Sequence, residues 1–381
     1  MKIQIQTSVL RKALTTCRKV TPKRAPRPVL TYVQLHATDG ITLQATNLEL
    51  YVSMDLDASI EVEGRLLLPL LELLAFVKAA KGSELTIDGP YPGGMIRLST
   101  DIGESIELSG ADVSWEWPMF HSMEEGTRGA NMDAMELGQS IRRVLPAVSK
   151  EGGRYAMHGA QVVLEGSHKV RLVGTDGRRL HLVDVMGSVA VMEEEGPMGI
   201  LPIPALKLLA SVLPKKFTRK MLPFNVWMRE SNDTGYRMID FQIGGMHIRV
   251  KAIDGAYPRY DSVIPKSFDG SLEFDCDELL SAIALVSVGC TDEHRAVSVI
   301  KHGDGLALKS AGSECGLPMA KIHSWPSGGK DRFSLHPEYF AASVKAADSN
   351  SIPLLWNAPN SPVAIRTDGF QAIVMPITIE A

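Results

Sequence analysis

The residues with the most chemistry to offer in this chain are its cations. Arg11, Lys12, Arg18 and Lys19 share the polar face of one predicted helix, Val9–Val20, with Thr15 and without an acid. Solvated helices ordinarily mix both signs to gain i,i+4 pairs, so a purely basic face favours a polyanion. A Pro-rich loop follows with Lys23, Arg24 and Arg27. The middle of the chain adds Arg142 and Arg143 on a second helix, Lys150 after it, Lys207 on a third, and Lys215 and Lys216 in the run LPKKFTRK. Helix and loop cations of this kind hold phosphates loosely and carry no base-reading module.

The chemistry of catalysis has no comparable signature. There is no GxxxxGK[ST] or GxGxxG after a strand, no HExxH and no GxSxG. The ten histidines are dispersed, and His158, His181 and His294 read as structural or surface residues. Asp176 in TDGRR reads as a turn former beside a strand. Cys17, Cys276, Cys290 and Cys315 lack metal spacing and read as reduced thiols of a cytoplasmic protein. We expect no enzyme activity, no cofactor and no metal. The formal net charge of −4 argues against a simple DNA-binding domain, so the basic helices must form one face of an otherwise acidic exterior. No run of 18 apolar residues is present, and MKIQIQTSVLRKAL reads as strand then helix rather than as a signal peptide.

The elements that position these cations recur. GRLLLPLLELLAFV at residues 64–77, GILPIPALKLLASV at 199–212 and DRFSLHPEYFAASV at 331–344 each read as a short apolar run, a helix start and an amphipathic helix. Pro69 and Pro204 hold the same place in their copies and Pro337 comes one step later, near a helix start where a missing N–H does no harm. The copies lie about a third of the 381-residue chain apart, which points to three copies of one domain-sized unit. The flanks agree. Lys2–Gln6 alternates as a strand, and Ser8 is placed to cap the first helix. Leu137 and Ile141 of the second unit repeat Leu10 and Leu14 of the first, and GTDGRRL (174–180) aligns with ATNLELY (45–51). Asp275 or Asp277 starts the corresponding helix of the third unit, whose exposed face is not basic. Ser105–Leu108 reads as an edge strand. Each unit reads as strand, helix, hairpin, strand, helix, meander, which is α+β with antiparallel sheet.

Three such repeats, TDGRRL, the linker Y-P-x-Y-x-x-V-I-P-K at Tyr257–Lys266 and the C-terminal Val374–Met375–Pro376 together resemble the bacterial DNA sliding clamp, the beta subunit of DNA polymerase III. The resemblance spans essentially the whole chain, with many intervening positions divergent. It implies domains at 1–125, 126–256 and 257–381. It also implies a head-to-tail homodimer closed into a six-domain ring, with helices lining a pore around double-stranded DNA. It places Arg24, Lys150, Arg154 and Tyr155 at loop positions that touch tilted or single-stranded DNA. It sets Ile106 and Leu108 of the first unit against the region of Val286 and Val288 of the third in the partner chain. A hydrophobic groove for short motifs of polymerase subunits, the clamp loader and repair proteins would be formed by Met157, Thr175, Gly177, Arg178, Arg179, Leu180, Pro258, Val263, His336, Tyr339, Val374, Met375, Pro376 and Ile377. Of these, Leu180, Val263 and Val374 suit plain core packing equally well. Ser262, His294 and Thr378 depart from residues common in relatives, which implies an altered peptide preference. A clamp-like paralogue serving a specialised client set is the alternative those departures allow.

Overall fold

A computed structural model of the chain describes residues 1–111, 117–118, 128–150, 155–191, 196–215, 225–233, 235–291, 295–302, 305–310, 318–322 and 332–377. The first repeat runs β1 (Lys2–Gln6), α1 (Thr7–Val20), β2 (Tyr32–Ala37), β3 (Ile41–Thr46), β4 (Leu50–Leu56), β5 (Ala58–Val62), β6 (Gly64–Pro69), α2 (Leu70–Ala79), β7 (Glu84–Tyr91), β8 (Met95–Thr100) and β9 (Ser105–Ser109). The second runs β10 (Arg128–Asp133), α3 (Ala134–Val144), β11 (Gly159–Glu165), β12 (Lys169–Thr175), β13 (Arg179–Val191), β14 (Gly196–Pro202), α4 (Ile203–Val212), β15 (Asn225–Asp233), β16 (Tyr236–Ile243) and β17 (Met246–Lys251). The third runs β18 (Gly270–Asp275), α5 (Cys276–Ser287), β19 (Val297–His302), β20 (Gly305–Ser310), β21 (Met319–Ile322), β22 (Arg332–Leu335), α6 (Pro337–Ala347), β23 (Ser351–Trp356), β24 (Val363–Thr367) and β25 (Phe370–Val374). The fold is α+β, built of antiparallel strand pairs such as β1 with β7, β3 with β4, β13 with β25 and β16 with β17.

The helix starts explain why the pattern repeats. Ser8 does not cap α1: it lies inside the helix, and Gln6 is the residue before the first turn. No side chain is needed there, because the Thr7 N–H donates to the Ser83 carbonyl at 2.9 Å. The third repeat does the same with the Cys276 N–H and the Asn350 carbonyl at 2.8 Å, and adds an Asp275 cap that accepts from the Glu278 N–H. The repeated prolines are not equivalent. Pro69 precedes α2, Pro337 opens α6 and Pro204 is the second residue of α4. All three positions precede the first intrahelical N–H donor, so each tolerates proline.

Contacts divide the described chain into two units. Unit 1 comprises residues 1–134, 188–194 and 207–252. It holds the five-stranded sheet β5-β1-β7-β8-β9 and a long sheet in the order β10-β15-β16-β17-β4-β3-β2-β6. Helix α1 buries Leu10, Ala13, Leu14, Cys17 and Val20 and packs on α2. Leu14 is fully buried, worth about 1.5–3 kcal/mol relative to exposure, so Leu14→Asp would break this face.

Unit 2 comprises residues 135–187, 195–206 and 253–381. Its long sheet runs β18-β23-β24-β25-β13-β12-β11-β14, and β21-β20-β19-β22 forms a four-stranded sheet. Phe274 and Phe340 are fully buried, and α5 packs on α6. No helix among the described residues is long and apolar enough to cross a membrane.

Candidate functional site

In unit 1, α1 and residues 211–212 of α4 border a cleft of about 590 Å³. Its lining includes Ser8, Arg11, Lys12, Thr15, Lys19 and Ser211, and no acid among the described residues. Lys12, Lys19, Lys207 and Lys215 are exposed. Partial burial, and then the like charge of Lys215 just beyond α4, lower the pKa of Lys19, so these two cations feel one another. Arg24 and Arg27 are exposed on the loop after α1. Arg18 is half-buried and donates to the Thr21 carbonyl at 2.9 Å.

Arg11 and Arg143 are engaged at helix ends. The Arg11 guanidinium donates to the Val77 and Ala80 carbonyls at 3.1 and 3.3 Å, capping the end of α2. In unit 2, Arg143 does the same for α6. It donates to the carbonyls of Ala346 at 2.7 Å and Ala347 at 3.0 Å and to Thr367 Oγ1 at 3.0 Å, and it lies on the Phe370 ring. Both arginines satisfy orphan helix-end carbonyls at the negative end of a helix dipole. They set helix positions rather than offering free positive charge, a difference from the sequence expectation that the guanidinium's reach explains. Arg142 is half-buried and Lys150 is exposed. Burial lowers the pKa of both Arg142 and Arg143, and Asp348 opposes the shift in each.

The second cluster lies wholly in unit 2 around the turn 175–179. Thr175 Oγ1 donates to the Arg179 carbonyl at 2.7 Å and accepts from the Gly177 N–H at 3.1 Å. Asp176 Oδ1 accepts from the Arg178 and Arg179 N–H groups, both at 3.0 Å. Gly177 has φ +83°, a conformation that a side chain disfavours. So Asp176 is the turn former that its Asp-Gly sequence indicates.

The C-terminal strand is stitched to this turn. The Met375 N–H donates to the Arg178 carbonyl at 2.9 Å, and the Ile377 N–H donates to Ser334 at 2.8 Å. Arg179 is held by Asp176 Oδ2 at 3.1 Å and lies 4.4 Å from the Tyr339 ring centroid, and His336 stacks on Tyr339 at 4.2 Å. Arg179, Tyr339 and His336 therefore form a layered ledge.

Beneath it, Leu180 joins Val173, Leu182, Ala364 and Ile373 in an apolar cluster, against which Tyr257, Tyr260, Ile264 and Phe268 of the linker pack. The Tyr257 hydroxyl donates to the Val173 carbonyl at 3.0 Å. Leu180 and Val374 are core floor, 2 % and 1 % exposed, whereas Met375 and Val263 stand out at 38 % and 41 %. Met157, Pro258, Pro376 and Ile377 are half-buried. Ser262 is exposed and donates to the Arg259 carbonyl.

Residues 1–89 match the family profile for the DNA polymerase III beta subunit, N-terminal domain. The beta sliding clamp of Caulobacter vibrioides is 27 % identical over 389 residues, and that of Synechocystis 24 % over 404, each covering all of both chains. Over its whole length the chain is similar to beta sliding clamps. Solved structures agree on the fold. The Bacillus subtilis DNA polymerase sliding clamp superposes with a TM-score of 0.88 at 19 % identity. The Bartonella birtlesii sliding clamp, bound to griselimycin, gives 0.87 at 22 %, and both cover all of both chains.

Among the described residues β9 is an edge strand, with Ile106 half-buried and Leu108 only 6 % exposed. Val286 differs from its expected role as a contact residue. It is 0 % exposed and faces the α5 core, while Leu285 and Val288 stand out at 54 % and 85 %. The helical period decides this, since Val286 lies on the face of Leu279 and Ile283. Arg154, Lys216, His294 and Thr378 lie outside the described residues, and of Tyr155 only the backbone is described, at the start of the 3-10 turn Tyr155–His158. His181 is fully buried between the Arg143 carbonyl (2.7 Å) and Ser343 Oγ (2.9 Å), as its structural reading requires.

Sequence reasoning missed Arg295, beside Glu338 near the ledge, and the linker aromatics Tyr260 and Phe268. The linker's aromatic spacing was visible; that it covers an apolar sheet face was not.

Proposed function

We propose that the chain is a DNA sliding clamp that encircles duplex DNA and tethers the replicative polymerase for processive synthesis, with no catalysis of its own. The observation that carries this reading is the cleft between α1 and residues 211–212 of α4, whose described lining holds Arg11, Lys12 and Lys19 and no acid, with Lys215 close enough to Lys19 to lower its pKa. Exposed cations contribute only about 0.2–1 kcal/mol each, which suits a protein that must slide. On this reading Arg18, Arg24, Arg27, Arg142, Lys150, Arg154, Tyr155, Lys207 and Lys216 add contacts, and Arg11 and Arg143 fix the helices that carry them.

The repeats form three domains, 1–125, 126–256 and 257–381. Two chains close head to tail, with the open edge β9 of one meeting the third repeat of the other, where Leu285 and Val288 rather than Val286 present apolar surface. The partners are double-stranded DNA without sequence preference, a second copy of the chain, and polymerase subunits, the clamp loader and repair proteins in the cytoplasm. Short motifs of those proteins dock over Met375, Val263 and the Arg179–Tyr339–His336 ledge.

The test is topological. Protein loaded by its cognate loader onto a nicked circular plasmid stays bound in high salt and leaves when the plasmid is linearised. Retention that ignores linearisation sinks the proposal. Met375→Asp is expected to weaken polymerase-peptide binding at least tenfold, measured by fluorescence anisotropy, because it sets a carboxylate on the apolar anchor.

A further inference from the structure

We propose that His181 is the positioning residue of the ledge: it ties α6 to helix α3 and thereby sets the Tyr339 ring against Arg179. The inference rests on the peptide-docking reading of unit 2 and adds what holds that surface in place.

Strand and helix meet here in register. Arg179 and His181 are two apart on β13 and share a face of the sheet. Tyr339 and Ser343 are four apart on α6 and share a face of the helix. Arg179 lies 4.4 Å from the Tyr339 ring centroid, and His181 Nε2 lies 2.9 Å from Ser343 Oγ. Two strand residues advance about 6.7 Å and four helical residues about 6 Å, so the two contacts keep step. Tyr339 and His336 are half-buried, whereas His181 and Ser343 are both 0 % exposed. The contact at the surface is therefore set by the one beneath it. A ring so buried reaches no ligand and acts on docking only through the ledge.

The hydrogen bonds continue to α3. His181 Nδ1 lies 2.7 Å from the Arg143 carbonyl. A carbonyl only accepts, so Nδ1 carries the proton. Burial lowers the pKa of His181 to about 4, so at neutral pH the ring is uncharged and Nε2 is an acceptor. The Ser343 hydroxyl then has one proton and two acceptors, Nε2 and the Tyr339 carbonyl at 2.8 Å. The same Arg143 whose carbonyl receives His181 sends its guanidinium to Ala346, Ala347 and Thr367. One residue of α3 thus holds α6 twice, at its end directly and at its middle through His181. Phe370 packs against both, 5.5 Å from the His181 ring and 4.4 Å from the Arg143 guanidinium.

The test is a thermodynamic cycle on the full chain. The readout is the Kd of a fluorescein-labelled decapeptide with a central pair of leucines, measured by anisotropy at neutral pH. Ser343→Ala removes the hydroxyl and keeps a good helix former. It is expected to weaken binding about three- to fivefold, the scale of one net hydrogen bond. His181→Leu, which also leaves the Arg143 carbonyl without its donor, should weaken it at least as much; if that variant does not fold, Ser343→Ala decides alone. In a Tyr339→Ala background both losses should vanish, because they act through that ring. A role in stability alone would lower the denaturation midpoint and leave the Kd of the folded protein unchanged. Unchanged binding in Ser343→Ala, or a loss of equal size with and without Tyr339, overturns the inference. If Tyr339→Ala weakens binding while Ser343→Ala does not, only the positioning inference fails. If no peptide binds the wild type, or Tyr339→Ala changes nothing, the docking reading of the ledge fails with it.

Discussion

At residues 46–50 of unit 1 the chain makes the same turn as at 175–179 of unit 2. Thr46 Oγ1 donates to the Leu50 carbonyl and accepts from the Leu48 N–H, both at 2.9 Å. Asn47 Oδ1 accepts from the N–H groups of Glu49 at 3.0 Å and Leu50 at 2.7 Å, as Asp176 does for Arg178 and Arg179. The next contact also corresponds, since the Lys251 N–H donates to the Glu49 carbonyl at 2.8 Å where Met375 donates to Arg178. In unit 1 β17 pairs with β4, and in unit 2 β25 pairs with β13.

The side chains on these matched strands differ in kind. Where unit 2 has Val173, Leu180, Leu182, Ala364 and Ile373, unit 1 has in register Gln44, Tyr51, Ser53, Asp240 and Arg249. Arg249 and Asp240, 5 % and 2 % exposed, form a two-bonded ion pair at 2.6 and 3.3 Å. In place of exposed Met375, unit 1 has Lys251, whose Nζ sits 3.2 Å from the Tyr236 ring centroid. A shared backbone therefore offers an apolar floor with a flexible anchor at one junction and a satisfied polar lock at the other. The difference teaches that one repeated frame carries either an apolar or a polar surface, as its side chains decide.

Breaking the lock should have the largest effect. Asp240→Ala leaves Arg249 charged and buried, and is expected to cost about 3–5 kcal/mol in chemical denaturation. Asp240→Ala with Arg249→Ile copies unit 2 and should recover most of that loss. A double variant as unstable as the single one would show that the two junctions do not share a frame.

The helix clips come next. Arg143→Ala removes a charged donor from three acceptors and should cost about 2–3 kcal/mol, while Arg11→Ala, with two longer bonds, should cost nearer 1 kcal/mol in the same assay.

Protonation gives a related test in unit 2. Burial pushes His181 down to about 4 from its ordinary value of 6.5. Below pH 6.5 the unfolded chain binds a proton that the folded chain refuses, so stability falls as pH drops and levels off near pH 4. The loss attributable to His181 is about 3 kcal/mol, read as the difference in pH slope between wild type and His181→Asn. Identical slopes would show that His181 is not held neutral.

The smallest effects lie in the turns. Gly177→Ala at φ +83° should cost about 1 kcal/mol, and Leu48→Gly at φ +75° should be neutral or stabilising by up to about 1 kcal/mol in thermal melts. Opposite signs at the two sites would confirm one conformation met by two residue types.

Much of the fold was legible because hydrophobic periodicity and turn chemistry act locally. The repeated strand–helix segments, the edge strand at Ser105 and the alignment of ATNLELY with GTDGRRL all follow from spacing, and the two turns do share their hydrogen bonds. The helix start was misassigned to Ser8 because its real partner, the Ser83 carbonyl, lies far along the chain. Arg11 and Arg143 looked like free cations because a sequence cannot say that a guanidinium will reach the end of another helix. Leu180 and Val374 were ambiguous between wall and core for the same reason, and burial made them floor.

By itself the sequence determined which segments are strands and helices, that the unit recurs three times, and that the first helix is basic on its polar face. These are consequences of local propensity and of period, which each short stretch carries within itself. Only the tertiary structure decided which cations stay free, which apolar residues remain exposed, and which junction has an apolar floor. Those outcomes depend on pairings such as Arg143 with Ala346 and Arg249 with Asp240, where the desolvation of one group is met by another distant in sequence or on a facing strand.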